Sequence, residues 1–260
     1  MVLRLINYFH PQNSENLFIQ MDLLPDFHSN DLVPVTIILT VTFGFLAYWY
    51  ISLSENILRK IRQRSSSRLF LLKKVLWQRL VGVLFLGILP GLAILLLLHF
   101  NLNDLGVVFL NSGKTVGWII LLPFIIVPVS YFTPKNQQHL KNYPQIRIKN
   151  WNPALIFINI ISWSLYLLAY EFLFRGVLLL GLNAIYGAWP AIAINIAIYS
   201  LVHFPKGKKE ALGAIPIGLT LSILTLNSGT IWIAFFAHLT MALSNDYFSI
   251  KSNPDFKFIK

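Results

Sequence analysis

The sequence has no cysteine among its 260 residues and few charged side chains. The absence of cysteine excludes disulfides, thiolate metal ligands and a cysteine nucleophile. Asp, Glu, Lys and Arg together make up 12% of the chain, and the acids are the scarcer kind, with 10 against 21 bases. Because ordinary soluble domains carry about a quarter charged residues, this composition argues against a water-soluble protein.

The sequence contains several long runs of apolar residues. Hydrophobic residues make up 56% of the chain, and the mean hydropathy is +0.64. A helix needs about 20 apolar residues to cross a bilayer, and seven runs are close to that length or longer: 33–54, 79–100, 115–132, 151–185, 187–205, 211–227 and 229–249. The fourth run is long enough for one tilted helix or two shorter ones. The sequence therefore predicts an all-α, polytopic membrane helical bundle with seven or eight transmembrane helices.

The same runs define the expected organisation of the chain. No linker rich in proline, glycine or serine separates them, and no repeat is evident. We therefore expect a polar N-terminal extension at 1–30, a single transmembrane helical domain at 31–250 and a polar C-terminal tail at 251–260. Residues 1–30 lack a basic region followed by an apolar core, so no cleavable signal peptide is expected. A multi-pass protein of a prokaryotic cell membrane is the predicted localisation.

The net charge of +11 is concentrated beside the membrane helices rather than on a nucleic-acid-binding surface. We predict that the loop between the first two helices is cytoplasmic and faces anionic lipid. It contains eight bases: Arg59, Lys60, Arg62, Arg64, Arg68, Lys73, Lys74 and Arg79. Membrane lipid, and not nucleic acid, is thus the expected partner, while the oligomeric state has no signal in the sequence.

One segment places an acid and a base inside an apolar run. In YEFLFRG, Glu171 and Arg175 are four residues apart and share one helix face within pairing distance. Ionised side chains are costly in hydrocarbon, so both should face the interior of the bundle. Two interpretations are open at this point: a buried ion pair that fixes helix packing, or a carboxylate positioned for chemistry.

Further polar residues occur at helical spacing in the later runs. Asn195, Tyr199 and His203 recur every four residues, and His238 and Asn245 are seven apart on one face of the last run. The first histidine precedes the basic segment PKGKK and also fits an interfacial residue. The second lies in the middle of IWIAFFAHLTMALS, which indicates a buried partner or a bound ligand. One acid, one arginine and two histidines are a set typical of catalytic or metal-binding sites.

These motifs resemble those of the CAAX prenyl endopeptidase and bacteriocin-processing family of intramembrane proteases, also called abortive-infection-like. Its members carry three helix motifs, EExxxR followed by Gly, FxxxH, and HxxxN or a relative. The similar segments here are YEFLFRG at 170–176, YSLVH at 199–203 and HLTMA at 238–242. The resemblance is strongest over about 140–248. It implies an intramembrane endopeptidase acting on a peptide or protein substrate, which is lipidated in the case of prenylated CAAX chains.

The resemblance also implies roles for individual residues. Glu171 corresponds to a motif-one glutamate and is expected to activate water beside Arg175, with His203 assisting. His238 is expected to stabilise the oxyanion, and Asn245 to substitute for the motif-three asparagine. A second view of the family makes Glu171, His203 and His238 ligands of zinc, which would supply the three protein ligands usual in catalytic sites. No other cofactor is implied.

Two positions depart from the family pattern. Tyr170 stands where the first motif glutamate is expected, and Ala242 stands four residues after His238. A phenol titrates near pH 10 and is a poor general base. Either Glu171 takes over the role of base or hydrolysis is lost. The alternatives are therefore a catalytically inactive relative that binds a membrane partner or acts as a chaperone subunit, and a small transporter.

The distribution of Lys and Arg raises a conflict over depth in the membrane. It predicts a cytoplasmic location for 55–79, 133–150, 206–209 and the tail. A single helix through 151–185 then places Glu171 about 30 Å from its cytoplasmic end, whereas His203 lies near the cytoplasm. Two shorter helices divided near 171–176 would bring the two residues level but would move 206–209 and the tail across the membrane. A single helix whose first turns lie outside the bilayer would also ease the conflict, so the orientation stays open.

Overall fold

The computed structural model describes residue 28 and residues 31–108 and 112–259. Residues Leu32–Lys260 form one compact unit. The predicted polar extension at 1–30 lies outside the described residues apart from His28. The division of the chain into extension, membrane domain and tail stays a prediction.

Helices account for most of the described residues. The α-helices are α1 (Leu32–Ser52), α2 (Glu55–Gln63), α3 (Ser67–Gly82), α4 (Leu89–Leu97), α5 (Gly113–Phe132), α6 (Gln137–Asn142), α7 (Pro153–Glu171), α8 (Gly181–Tyr186), α9 (Ala188–Leu201), α10 (Lys208–Ser228) and α11 (Trp232–Ser252). Two π-helical segments, Val83–Ile88 and Phe172–Leu180, join α3 to α4 and α7 to α8, and a 3-10 turn at Phe204–Lys206 follows α9. The predicted all-α fold is confirmed.

Six helical stretches in the described part of the chain have the length and apolar composition needed to cross a membrane. They are Leu32–Gln63, Ser67–Leu97, Gly113–Phe132, Pro153–Tyr186, Ala188–Lys206 and Lys208–Ser228. The seventh predicted span, 229–249, falls in α11, which is long enough but is not among the six. Its polar residues, including His238, Asn245 and Asp246, lower its hydropathy. The chain is a polytopic membrane protein, and the count of seven or eight crossings stays a prediction.

Two short strands connect the predicted tail to the bundle. Within the described residues, β1 (Asn150–Trp151) pairs in parallel with β2 (Lys257–Phe258). Trp151 is buried against Ile250, near the end of α11, in a small apolar cluster. The start of α7 is thereby attached to the segment that follows α11.

The fourth apolar run forms one helical stretch from Pro153 to Tyr186. The side chain of Asn152 caps its start by accepting a hydrogen bond from the Leu155 amide at 2.9 Å. The stretch ends at Gly187, whose φ of 76° lies in the region that favours glycine. Of the two arrangements considered for this run, the single helix is the one observed.

The depth conflict disappears because α9 turns back along this helix. Glu171 lies 15 residues before Tyr186, and His203 lies 16 residues after Gly187, so the hairpin brings them to the same level. The ring of Tyr170 lies 6.5 Å from the ring of His203. A single helix is therefore compatible with a shared site, and the orientation of the chain in the membrane stays a prediction.

The π-helical segment Phe172–Leu180 lies in the centre of the core. Its residues Leu173, Phe174, Val177 and Leu178 are buried in the largest apolar cluster.

A Cβ atom added at Gly176 would lie 2.8 Å from the backbone oxygen of Leu105. The glycine therefore lets the loop after α4 pack directly on the segment that carries the first motif.

The basic stretch between the first two predicted spans is helical and is not a loop. Residues 55–63 and 67–82 form α2 and α3, and α2 has no buried residue. Arg79, counted among the lipid-facing bases, is instead 3% exposed. The assignment of Arg79 to a surface loop was wrong because α3 continues into the bundle, where this guanidinium meets polar groups of α7.

Candidate functional site

The carboxylate of Glu171 is enclosed between an imidazole and a guanidinium. Its Oε1 lies 2.6 Å from Nδ1 of His238, and its Oε2 accepts a hydrogen bond from Nε of Arg175 at 3.2 Å. Glu171 and Arg175 are both fully buried, while the His238 side chain is 14% exposed. The predicted i, i+4 ion pair is therefore present, and it extends to the last motif on α11.

Arg175 is held by a second set of contacts on the neighbouring helices. Its Nη1 donates to Oδ1 of Asn195 and to Oγ of Ser222, the latter at 3.0 Å. The guanidinium also lies 4.7 Å from the centre of the Tyr199 ring. Asn195 in turn donates to the backbone oxygen of Phe174 at 2.6 Å. This network joins the π-helical segment to α9 and α10 and fixes the position of Glu171.

His203 and His238 each contact an oxygen atom of the protein through Nδ1. Nδ1 of His203 lies 2.7 Å from the backbone oxygen of Tyr199, and Nδ1 of His238 contacts the Glu171 carboxylate. A carbonyl or an ionised carboxylate can only accept, so Nδ1 is the donor in each neutral ring. Nε2 is consequently the basic nitrogen of both His203 and His238.

A cavity of about 110 Å³ lies beside these rings. Tyr170, His203 and His238 line it, whereas Glu171 and Arg175 do not. The carboxylate thus reaches the cavity through His238 and not directly. Water or substrate in this space would meet two imidazoles and tyrosine side chains, since Tyr48, Tyr143 and Tyr166 line the cavity together with Tyr170.

Tyr170 occupies the place of the first motif glutamate and faces the cavity. Its ring lies 5.5 Å from that of His238 and 6.5 Å from that of His203. The residue is 6% exposed, and its hydroxyl has no hydrogen-bond partner within the described residues. A buried donor without a partner is costly unless a ligand or water engages it.

The third motif contributes less than the sequence predicts. Ala242, at the expected asparagine position, lines the cavity and packs with Trp163 and Leu167. Asn245 does not line the cavity. A role for Asn245 in stabilising the oxyanion stays a prediction without support from this arrangement.

The proposed zinc ligands Glu171, His203 and His238 do not form a ligand set. In the part of the chain that the structure describes, no group of three or more His, Cys, Asp and Glu side chains is arranged to hold a metal ion. Both carboxylate oxygens of Glu171 are engaged, one of them by the Nδ1 atom of His238. Zinc binding stays a prediction, and no step proposed below uses it.

A second polar cluster adjoins the same cavity and was missed in the sequence. Nη1 of Arg79 donates to Oδ1 of Asn159 at 3.0 Å and to Oγ of Ser162 at 2.6 Å, and Nη2 donates to Oε1 of Gln145 at 3.2 Å. Arg79 also lines the cavity. The signal available in the sequence was an arginine at the first position of an apolar run, which in membrane helices indicates an interior location.

Asp246 belongs to this cluster as well. Its Oδ2 accepts hydrogen bonds from Nδ2 of Asn159 at 3.0 Å and from Nε1 of Trp163 at 2.8 Å. The sequence analysis gave Asp246 no role, although an acid within a predicted membrane span should have indicated one. The cluster links α11 to α7 next to the motif histidine on α11.

Comparison with known proteins finds one family model that is similar to the motif-bearing segment. Residues 150–244 match the family model described as type II CAAX prenyl endopeptidase Rce1-like. No curated protein and no solved structure matches the chain. The match confirms the resemblance seen in the three motifs, over a segment slightly shorter than the expected 140–248. It supports, at the level of the family, an intramembrane protease of the CAAX type.

Proposed function

Proceeding from the match of residues 150–244 to the Rce1-like family, we propose that this protein is an intramembrane endopeptidase in which His238, held by Glu171, activates the attacking water. The observation that carries this proposal is the 2.6 Å contact between Glu171 Oε1 and His238 Nδ1. A carboxylate on one imidazole nitrogen fixes the tautomer and stabilises the imidazolium that forms when the other nitrogen accepts a proton. Nε2 of His238 is then the general base at the cavity.

This assignment changes the role expected for the glutamate. Glu171 is fully buried and does not line the cavity, so a substrate carbonyl or a water held there meets His238 first. Glu171 is accordingly a positioning residue, and Arg175 holds its carboxylate in place.

Tyr170 supplies the donor that the reaction needs. Attack on an amide carbonyl places negative charge on its oxygen, and a donor already positioned for that charge lowers the barrier. The Tyr170 hydroxyl lies in the wall beside both imidazoles and has no partner among the described residues. We assign it to the oxyanion, which makes the departure from glutamate a change of role and not a loss of function.

The proposed reaction is a simple hydrolysis. The water oxygen forms a bond to the peptide carbonyl carbon while one of its protons passes to Nε2 of His238. The tetrahedral intermediate then breaks the C–N bond, and the same proton moves from His238 to the leaving nitrogen. Nε2 of His203 accepts a hydrogen bond from the second proton of the attacking water. The products are a carboxylic acid and an amine, and His238 returns to its starting state.

The substrate proposed for this site is a peptide segment of a membrane-associated protein. The family description names a CAAX prenyl endopeptidase, and the lipid anchor of a prenylated chain would bring it to the six apolar helical stretches. Peptides without a lipid remain within the proposal, and the test below includes both kinds of peptide.

The test compares two histidines of the full-length protein in liposomes. A library of prenylated and unprenylated peptides is incubated with the wild type, His238→Asn and His99→Asn, and the products are sequenced by mass spectrometry. His99 is exposed and has a positive φ that asparagine tolerates. We expect His238→Asn to lower the cleavage rate by about 10²- to 10⁴-fold and His99→Asn to leave it unchanged. Equal rates in the two variants would remove His238 from the mechanism.

A second candidate function is a catalytically inactive relative that binds a membrane partner. It is favoured by one observation: Tyr170 occupies the cavity-facing position of a motif glutamate, while Glu171 is enclosed by Arg175 and His238. The same assay separates the candidates. Absence of cleavage by the wild type across the library, with the protein folded, would favour the binding function over hydrolysis.

A further inference from the structure

A groove lies between the first turns of α3 and α7, outside the cavity that contains the two histidines. Its volume is about 210 Å³, and facing positions of the two helices line it: Arg68, Leu69, Leu72, Ala154, Leu155 and Ile158. Residues three and four apart share a helix face, so each helix contributes one continuous stripe. Leu69 is 40% exposed and Ala154 is exposed as well, so the groove is open to its surroundings.

The groove lies at the level of the lipid headgroups. Its two helices begin the membrane-spanning stretches Ser67–Leu97 and Pro153–Tyr186, of 31 and 34 residues. At 1.5 Å per residue they are about 46 and 51 Å long, close to the thickness of a bilayer with its headgroups. The capping residues Ser66 and Asn152 line the outer end of the groove. Lipid, rather than water alone, is therefore the surrounding medium.

The outer end of the groove carries a positive charge. Among the described residues that line it, Arg68 is the only charged one; it is exposed and takes part in no ion pair within the described part of the chain. Glu55 is the only acid between positions 51 and 103 of the sequence, and none occurs between 105 and 170. Asp255 precedes Phe256, which packs on the adjoining apolar cluster, but Asp255 does not line the groove.

The size of the groove limits what can occupy it. One turn of a helix about 10 Å wide fills roughly 400 Å³, about twice the volume available. A thin, flexible chain fits this space better than a partner helix does. An apolar wall below a cation suits a molecule with an acyl chain and an anionic head.

We propose that this groove binds one anionic phospholipid, with an acyl chain along Leu69, Leu72 and Ile158 and the phosphate beside Arg68. Guanidinium groups form strong, charge-assisted hydrogen bonds with phosphate oxygens. The bases of this region were predicted to face anionic lipid in general. The groove defines where one lipid molecule binds and which base holds its head.

A lipid at this position would connect two helices that are joined only deeper in the bundle by Arg79. Its Nη1 donates to Oδ1 of Asn159 at 3.0 Å and to Oγ of Ser162 at 2.6 Å. The lipid would fill the space between the first turns of the same helices. Because a ligand that binds only the folded state stabilises it, anionic lipid should raise the melting temperature.

Three probes separate the parts of the ligand. Dioleoyl phosphatidylglycerol is anionic, dioleoyl phosphatidylcholine has the same chains without net charge, and glycerol 1-phosphate has a phosphate without chains. Binding to the full-length protein in neutral detergent is counted by native mass spectrometry, which resolves the first lipid bound. We expect the first phosphatidylglycerol to bind about fivefold more tightly than the first phosphatidylcholine. Glycerol 1-phosphate should bind far more weakly than either lipid.

Two pairs of variants test the cation and the groove. Arg68→Gln should lower the affinity for phosphatidylglycerol about fivefold, whereas Arg64→Gln, an equal change at an exposed base outside the groove, should lower it clearly less. Ala154→Trp fills the groove and should weaken both lipids. Phe157→Trp is its control, because Phe157 is 65% exposed on the same helix and does not line the groove. The losses in Arg68→Gln and Ala154→Trp should not add in the double variant, since both act on one lipid.

Each alternative gives a different result. Equal affinity for the two lipids, or equal losses in Arg68→Gln and Arg64→Gln, would overturn the site, because the bases would then act only as general surface charge. Unchanged binding in Ala154→Trp would place the lipid elsewhere and also overturn it. Glycerol 1-phosphate that binds as tightly as phosphatidylglycerol would show a site for free phosphate instead. Lipid binding requires no hydrolysis, so a protein that binds lipid as expected but cleaves nothing would retain this site and reject the hydrolase.

Discussion

Glu171 and His238 make a 2.6 Å contact although 67 residues separate them in the chain. The contact joins the end of α7 to the middle of α11 and so connects the first motif to the third. Because Arg175 engages the other carboxylate oxygen, the same acid stabilises the bundle and orients the imidazole. Of the two interpretations of the YEFLFRG segment, the buried ion pair is observed, and the chemical one stays a prediction.

Replacing Glu171 by glutamine is expected to abolish cleavage and to destabilise the protein. The change leaves the buried guanidinium of Arg175 without its carboxylate, which costs about 3–5 kcal/mol in comparable buried pairs. The melting temperature in detergent should fall clearly below that of the wild type. In the double variant Glu171→Gln/Arg175→Met much of that loss should be recovered, because the buried charge is gone. If Glu171→Gln alone melts like the wild type, the structural role of the Glu171–Arg175 pair is contradicted.

Replacing Tyr170 by phenylalanine tests the proposed oxyanion donor. We expect kcat to fall by about 10²- to 10³-fold with little change in KM, as is found when one such donor is removed. The melting temperature should be kept, because the hydroxyl has no partner to lose among the described residues. Tyr186→Phe, at an exposed position, is the control. Wild-type kcat in Tyr170→Phe would rule out this role.

Asn195 is expected to matter more for stability than Ser222. Asn195→Leu removes the acceptor for Arg175 and the donor to the Phe174 backbone oxygen. Each buried group left without a partner costs about 1–3 kcal/mol. Ser222→Ala removes one contact to Arg175, so its effect on the free energy of unfolding should be about half as large or less. The reverse order in thermal unfolding would show that Arg175 does not depend on Asn195.

The stability of the protein should depend on pH through His139. Burial, and secondarily the charge of Lys135, lower the pKa of His139 to about 4, whereas an unfolded chain has a histidine pKa of about 6.5. The folded state therefore favours the neutral ring. This contribution to stability is complete above pH 6.5 and is lost as the pH falls towards 4.

The measurement for His139 compares melting temperatures at pH 7.5, 5.5 and 4.5 in the wild type and in His139→Gln. Glutamine can still reach Ser249, the hydrogen-bond partner of the His139 ring. The fall in melting temperature on acidification should be smaller in His139→Gln than in the wild type. The difference between the two plots of melting temperature against pH separates the effect of His139 from that of the carboxylates. Parallel curves would show that this ring does not titrate on unfolding.

Removal of divalent metal should leave the activity unchanged. The mechanism proposed here uses His238, Glu171 and Tyr170 without a metal, and the described residues contain no three-ligand cluster. Cleavage is measured before and after treatment with a zinc chelator, together with metal analysis of the purified protein. Loss of activity that returns on adding zinc would replace the proposed scheme with the metal interpretation of the family.

Much of the fold could be predicted because the bilayer restricts what a chain can do. Runs of about 20 apolar residues can bury their backbone polar groups only as helices, and six of the seven runs fall in helical stretches of the described residues that could cross a membrane. The helical spacing of Glu171 and Arg175 likewise predicted their pairing, since residues four apart share a helix face. The charge pattern, in contrast, misplaced Arg79, because counting bases does not reveal which way a helix face points.

The sequence by itself determined the class of fold, the motif residues and the pairing of Glu171 with Arg175, because these depend on local periodicity and on the exclusion of charge from hydrocarbon. The tertiary structure decided that Tyr170 and not Glu171 lines the cavity, that His238 receives the carboxylate, and that Arg79 joins the same space. Those relationships depend on how helices distant in the chain pack against one another, which no local pattern of residues encodes.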